Sequence, residues 1–211
     1  MAIAESQRTA LADALRAAGP EAPTLCEGWT ARDLAAHVWL REHRPVTQAG
    51  SLIPALSDWS EVQLALAKAS RPFPDLVDAF EAGPGRWSPL RIGPVNDLAN
   101  GAEYFIHCED VRRGGPQWEP RELDAATADW VWRQAKGFAR VKLLRSPVSV
   151  VLENRDTGQT LRLGRHPRVV RVAGPPAELL LWVAGRGEAA RVDLSGAPDD
   201  RAALAGLDLR Q

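Results

Sequence analysis

Apolar positions along this chain change their period partway through. Over Ser6–Ala18 they recur at three- and four-residue spacing and stop at Gly19-Pro20, which predicts an amphipathic helix. "TARDLAAHVWLRE" opens a second helix, with Thr30 as N-cap and Asp33 at the N3 position of a capping box. Trp29, just before the cap, is placed for a hydrophobic staple. Shorter helical patterns cover Trp59–Ser70 and Pro74–Glu81, separated by "SRPFP". A long one runs from about Val95 to Arg113 and stops at Gly114-Gly115-Pro116; another covers about Leu123–Leu144. Four long helices joined by loops predict an antiparallel bundle. After Arg145 the rhythm shortens. "VSVVLEN", "QTLRLG" and "RVVRVAG" are β-branched runs separated by the turn signals "RDTG" and "GRHP". A helix, "PPAELLLWVAGR", a strand, "ARVDLSG", and a closing helix near Pro198–Ala205 follow. The expected fold is therefore α+β: a helical bundle over 1–145, then a small α+β domain over 146–211.

Composition narrows the setting. At 211 residues, 45% hydrophobic and 25% charged, the chain has an ordinary soluble balance. Its longest apolar run, "AELLLWVAG", is too short to span a bilayer, and the N-terminus lacks the basic start and apolar core of a signal peptide. Cys26 and Cys108 form neither a disulfide framework nor a CxxC pair, so a cytoplasmic, reducing compartment is expected. Most of the eight tryptophans, Trp130 and Trp132 included, fall at helical spacings and read as core or interface residues. The net charge of −1 hides an uneven distribution: Arg133 to Arg171 holds ten basic residues against Glu153 and Asp156. Such a run steers a small anion, touches nucleic acid, or is a solvated face. No RNA- or DNA-reading motif accompanies it and the aromatic residues are not interleaved with it, so neither nucleic acid nor a membrane is expected as partner. A monomer or homodimer is the expected state.

The chemistry concentrates in "EYFIHCEDVRR", where Glu103, His107 and Asp110 line one helical face. Glu103 and His107 alone are explained by a helical ion pair as well as by a metal. Of the four histidines, His43 lies at a helix end and His166 in the "GRHP" turn, both surface settings. His37 sits among Leu34, Ala35, Val38 and Trp39, where a buried imidazole needs a partner; it is either a satisfied core histidine or a ligand. His37, Glu103 and His107 together match a catalytic zinc set, two histidines and one carboxylate, with a position left for water or substrate.

The "TLCEGWTARDLAAHVWLRE" segment followed by "EYFIHCEDVRR" resembles the mycothiol-dependent maleylpyruvate isomerase family, within the wider DinB-like metal-binding bundles. The C-terminal "GPPAELLLWVAGRGE" followed by "VDLSG" resembles the small C-terminal domain of those proteins. The resemblance implies a DinB-like antiparallel four-helix bundle holding a divalent metal, usually zinc, on His37, Glu103 and His107. It further implies mycothiol as thiol cosubstrate, in a metal-dependent S-transferase or isomerase acting on an electrophilic, anionic small molecule. The alternative is a non-catalytic metal-binding or interaction protein of the same fold. Asp110 becomes a candidate to accept a ring N–H from His107, its rival reading being an ion pair with Arg112 or Arg113. Arg186, in "WVAGRGE", becomes a candidate anion-holding residue, its rival reading being a surface arginine. Cys108 and Cys26 read as packing and structural thiols.

Overall fold

The computed structural model describes residues 3–44, 47, 57–86 and 88–209. Among these are eight α-helices and a mixed four-stranded sheet, so the α+β expectation holds. The chain divides into two compact units, Met1–Pro120 and Arg121–Gln211.

The first unit is helical: α1 (Ile3–Ala18), α2 (Ala31–His43), α3 (Ser57–Ser70), α4 (Phe73–Glu81) and α5 (Gly93–Arg112). α1 packs along α5 and against α4, while α2 packs on α3 and α4 and meets α1 and α5. Leu11 and Leu15 fall one turn apart on α1 and are fully buried with Leu34, Leu76, Phe80 and Tyr104. Each such side chain contributes about 1.5–3 kcal/mol. Alanines at 4, 12, 31, 35 and 36, all buried, let the helix backbones approach closely. The capping box forms as the sequence predicts: the Thr30 side chain accepts the Asp33 N–H, and the Asp33 carboxylate accepts the Thr30 N–H at 2.9 Å. Lys68 pairs with the same carboxylate and ties α3 to the start of α2.

The turn between α1 and α2 is fixed onto the far end of α5. Thr24 donates through both its N–H and its hydroxyl to the Trp29 carbonyl, at 3.2 and 2.9 Å. Gly28 closes this turn at φ +75°, a region that favours glycine. Just past α5, a Cβ on Gly114 would lie 2.0 Å from the Pro23 carbonyl oxygen, so only glycine lets the two backbones cross. The Leu25 N–H donates to the Asp110 carbonyl at 3.0 Å. These contacts set the first turns of α2 beside the last turns of α5.

The second unit contains α6 (Ala125–Lys142), β1 (Ser149–Asn154), β2 (Thr160–Leu163), β3 (Val169–Gly174), α7 (Pro176–Val183), β4 (Asp193–Ser195) and α8 (Pro198–Ala205). The strand order is β2-β1-β3-β4; β1 and β3 are parallel and the outer pairs antiparallel. α7 is buried along its whole length, from Pro176 to Val183, and α6 packs on it. The sequence reading put the boundary at 145, beyond α6; the compact units divide at 120. Periodicity identifies the apolar face of α6, with Trp130, Val131, Ala135 and Ala139 buried, but not the partner that covers it. Trp132 and Trp182 are buried as well; Trp59 is exposed, and Trp87 lies outside the described residues. In the basic stretch, Arg133, Arg155, Arg168 and Arg171 pair with Asp129, Asp193, Asp200 and Glu153, which suits a solvated, charge-paired face.

Candidate metal centre

His37 stands mid-way along α2, and Glu103, His107 and Asp110 project from the second half of α5. One ligand atom each from His37, Glu103 and His107 lies within 4.8 Å of the others. His107 Nε2 is 3.5 Å from Glu103 Oε2, and the two imidazole rings meet edge-on with centroids 5.3 Å apart. The helical ion pair and the three-residue cluster are thus both present, on the same atoms. Trp29, which the sequence reading cast as a staple, packs on the helical core and also against the His37 ring, 5.2 Å between centroids.

The electrostatics differ sharply between the two histidines. Burial pushes the His37 pKa down to about 3, helped by the positive charges of His107 and Arg41, so at neutral pH its imidazole is neutral with a lone pair to offer. At His107 burial also opposes the charge, but hydrogen bonds to Asp110, Cys26 and Glu103 outweigh it and hold the pKa well above that of a free histidine. For Glu103 burial favours protonation, yet the His107 hydrogen bond and the charges of His107, Arg41 and His37 bring its pKa down to about 2. The site therefore offers a neutral imidazole, a carboxylate and an imidazolium whose two N–H groups each face an acceptor.

Asp110 fixes the His107 ring. Its Oδ2 lies 2.8 Å from His107 Nδ1, so Nδ1–H donates there and Nε2 is turned toward Glu103. Arg112 and Arg113 reach Glu109, at 3.2 and 2.7 Å. The Cys26 thiol also donates to Asp110 Oδ2, at 3.3 Å, so the thiol read as merely structural belongs to the same hydrogen-bonded group. Cys26, His107 and Asp110 offer a second set of ligand atoms within 4.8 Å. Cys108 packs as expected, buried with its thiol 3.6 Å from the Ala10 carbonyl. His43 and His166 are exposed, the former stacked on Trp39. Arg186 lies in the second unit, half-buried, and donates to the Ala184 carbonyl at 2.7 Å.

The donor types suit a small divalent ion, and one donor pair has its spacing. Zinc bound tetrahedrally at 2.0–2.1 Å holds its ligand atoms about 3.3 Å apart, close to the separation of His107 Nε2 and Glu103 Oε2. Three residues near this set were missed by sequence reasoning: Arg41, Asn96 and Asn100. The signal was legible in part, because Asn96, Asn100, Glu103, His107 and Asp110 alternate spacings of four and three, the rhythm of a helical seam.

No known family model matches the chain, and no characterised protein matches it in sequence. Among solved structures it is similar to the crystal structure of the mycothiol-dependent maleylpyruvate isomerase. The TM-score is 0.57 at 15% identity, over 92% of this chain and 90% of that one. A histidine-to-alanine mutant of that enzyme gives 0.56 at the same identity and coverage. At this identity the likeness is one of fold.

Proposed function

We propose that His37, Glu103 and His107 hold a divalent ion, zinc by donor type, and that the protein is a thiol-dependent S-transferase or isomerase acting on an electrophilic small molecule. The observation that carries this reading is the convergence of three ligand atoms from α2 and α5 within 4.8 Å. The solved neighbour is mycothiol-dependent, and on that likeness of fold we take mycothiol as the thiol cosubstrate and the helical unit as a DinB-like bundle. A metal ion bound here would supply the positive charge that deprotonates a thiol whose unperturbed pKa is about 8.5. The chain's residues prepare the site for it. His37 offers its lone pair without first losing a proton, since burial already keeps it neutral. Glu103 contributes a negative charge and lowers the net charge of the donor set. Asp110 retains the proton on His107 Nδ1, which directs Nε2 toward the other two ligands. Trp29 packs against one side of the His37 ring.

The test is metal content by elemental mass spectrometry on untagged protein, followed by thermal shift with mycothiol. Wild type should carry about one equivalent of zinc or a similar ion, and His37→Ala should carry none. Metal-loaded wild type should be stabilised by mycothiol. Protein that rejects added zinc would overturn the reading; zinc without a response to thiols would leave the non-catalytic alternative.

A further inference from the structure

Two buried amides on α5 have no part in the site described so far. Asn96 and Asn100 are 5% and 2% exposed, one turn apart. Buried amides are costly unless satisfied, so their partners indicate their purpose. Asn100 Nδ2 donates to Asn96 Oδ1 at 2.9 Å, which leaves Asn100 Oδ1 as an acceptor. That oxygen takes the Nε–H of Arg41 at 2.9 Å, and Arg41 Nη2 donates to the Ala99 carbonyl at 3.1 Å. Two nitrogens of the guanidinium are thereby held against α5. The third, Nη1, lies 3.7 Å from Glu103 Oε2, the same oxygen that faces His107 Nε2.

We propose that Arg41, oriented by Asn100 and through it by Asn96, is a positioning residue that holds the Glu103 carboxylate toward His37 and His107. The inference rests on reading the cluster as a metal site. As an ion pair alone, a contact of 3.7 Å between side chains 24% and 33% exposed stabilises the fold little. Its value lies in direction: a planar guanidinium fixed at two corners presents its third in one place, which a lysine on its flexible stem would not do. Glu103 thus has a cation on one side and His107 on the other, and its carboxylate is set before any ion arrives. The three links run from Asn96 to Asn100, from Asn100 to Arg41 and from Arg41 to Glu103.

Zinc affinity measured by competition with a chromophoric chelator, together with the visible spectrum of the cobalt(II)-substituted protein, tests the relay. Arg41→Met and Asn100→Leu should each weaken zinc binding about ten- to a hundredfold, the range for groups that orient metal ligands. The double variant should be no weaker than Arg41→Met, because Asn100 acts only through Arg41. Arg41→Lys should fall with Arg41→Met, and Asn100→Asp, which keeps the acceptor oxygen for Arg41 but loses the amide donor to Asn96, should retain more affinity than Asn100→Leu. The cobalt spectrum should change in Asn100→Leu although that residue touches no ligand. Additive losses, an unaffected Asn100→Leu, or tighter zinc binding in Arg41→Met, as an idle repelling cation would give, would overturn the proposal. Wild type that takes up no zinc sinks the metal reading itself; wild-type binding with unaffected variants sinks only the relay.

Discussion

Arg41 and Glu42 are neighbours on α2, as Glu103 and Tyr104 are on α5, yet the two pairs belong to different kinds of polar cluster. Glu42 faces inward with a side chain 0% exposed, and its Oε1 accepts from Arg8 and from the Tyr104 hydroxyl. The Arg8 guanidinium lies over the Tyr104 and Phe80 rings, 5.3 and 6.0 Å from their centroids. Four helices close around this group, and burial with the nearby Glu42 charge drives the Tyr104 pKa far above its usual value. One residue along each helix, the other cluster keeps an edge to solvent, with Glu103 one third exposed. Its two histidines are pushed in opposite directions. The inner cluster joins helices through shared hydrogen bonds but leaves Glu42 Oε2 buried without a partner among the described residues, whereas the outer one crowds its donors at an open edge.

The largest effect should come from opening the closed cluster. Arg8→Met strands the Glu42 carboxylate in the core and should cost about 3–5 kcal/mol in urea unfolding. Adding Glu42→Leu should recover most of that loss, because the uncompensated charge, not the missing attraction, is what destabilises. Tyr104→Phe removes one hydrogen bond to a charged acceptor and should cost about 1.5–3 kcal/mol by the same measurement. If Tyr104→Phe were neutral, the closed cluster would be the simple Arg8–Glu42 pair.

The open cluster should show itself in pH dependence, measured on metal-free protein. An unfolded histidine titrates near 6.5, and folded His37 at about 3. The unfolded chain therefore binds the extra proton between these values, and stability falls as pH drops through that window. Glu103, held at about 2, adds to the loss at still lower pH. His107 acts in the opposite sense: its raised pKa gives a contribution present in full below about 6.5 and lost as pH rises through its folded value. His37→Gln should accordingly lose less of its urea midpoint than wild type between about pH 6.5 and pH 4. Equal losses would show that His37 is not held neutral. The smallest effect is expected at the surface, where Arg16 reaches Asp78 at 2.7 Å and Glu81 at 2.5 Å. Arg16→Ala should cost less than about 1 kcal/mol, and less still at high salt.

The same contrast explains what was legible in the sequence. The three polar positions on α5 stood out because each interrupts an apolar run at helical spacing, and the capping box gave the start of α2 directly. Arg41 did not stand out: an arginine near a helix end reads as a solvated charge, and nothing in its local pattern points to Asn100, 59 residues away. Cys26 escaped for the same reason, since its partner Asp110 is 84 residues on. Local chemistry is written in spacing; pairing across helices is not. The boundary after residue 145 rested on the change from helical to strand rhythm, whereas the compact units follow the partner α6 packs against.

The polar seam on α5 carries one more consequence. An apolar seam tolerates slippage, since one leucine can take the place of another seven residues along, whereas unlike polar groups cannot be exchanged this way. If α5 slid by seven residues, Asn100 would stand where His107 does and Asn96 where Glu103 does. His37 would then meet two amides, and Arg41 would lose both its acceptor and its carboxylate. Asn96, Asn100, Glu103 and His107 thus work as a ruler for α2 and α5: the alignment that satisfies their buried polar groups is the one that assembles the site.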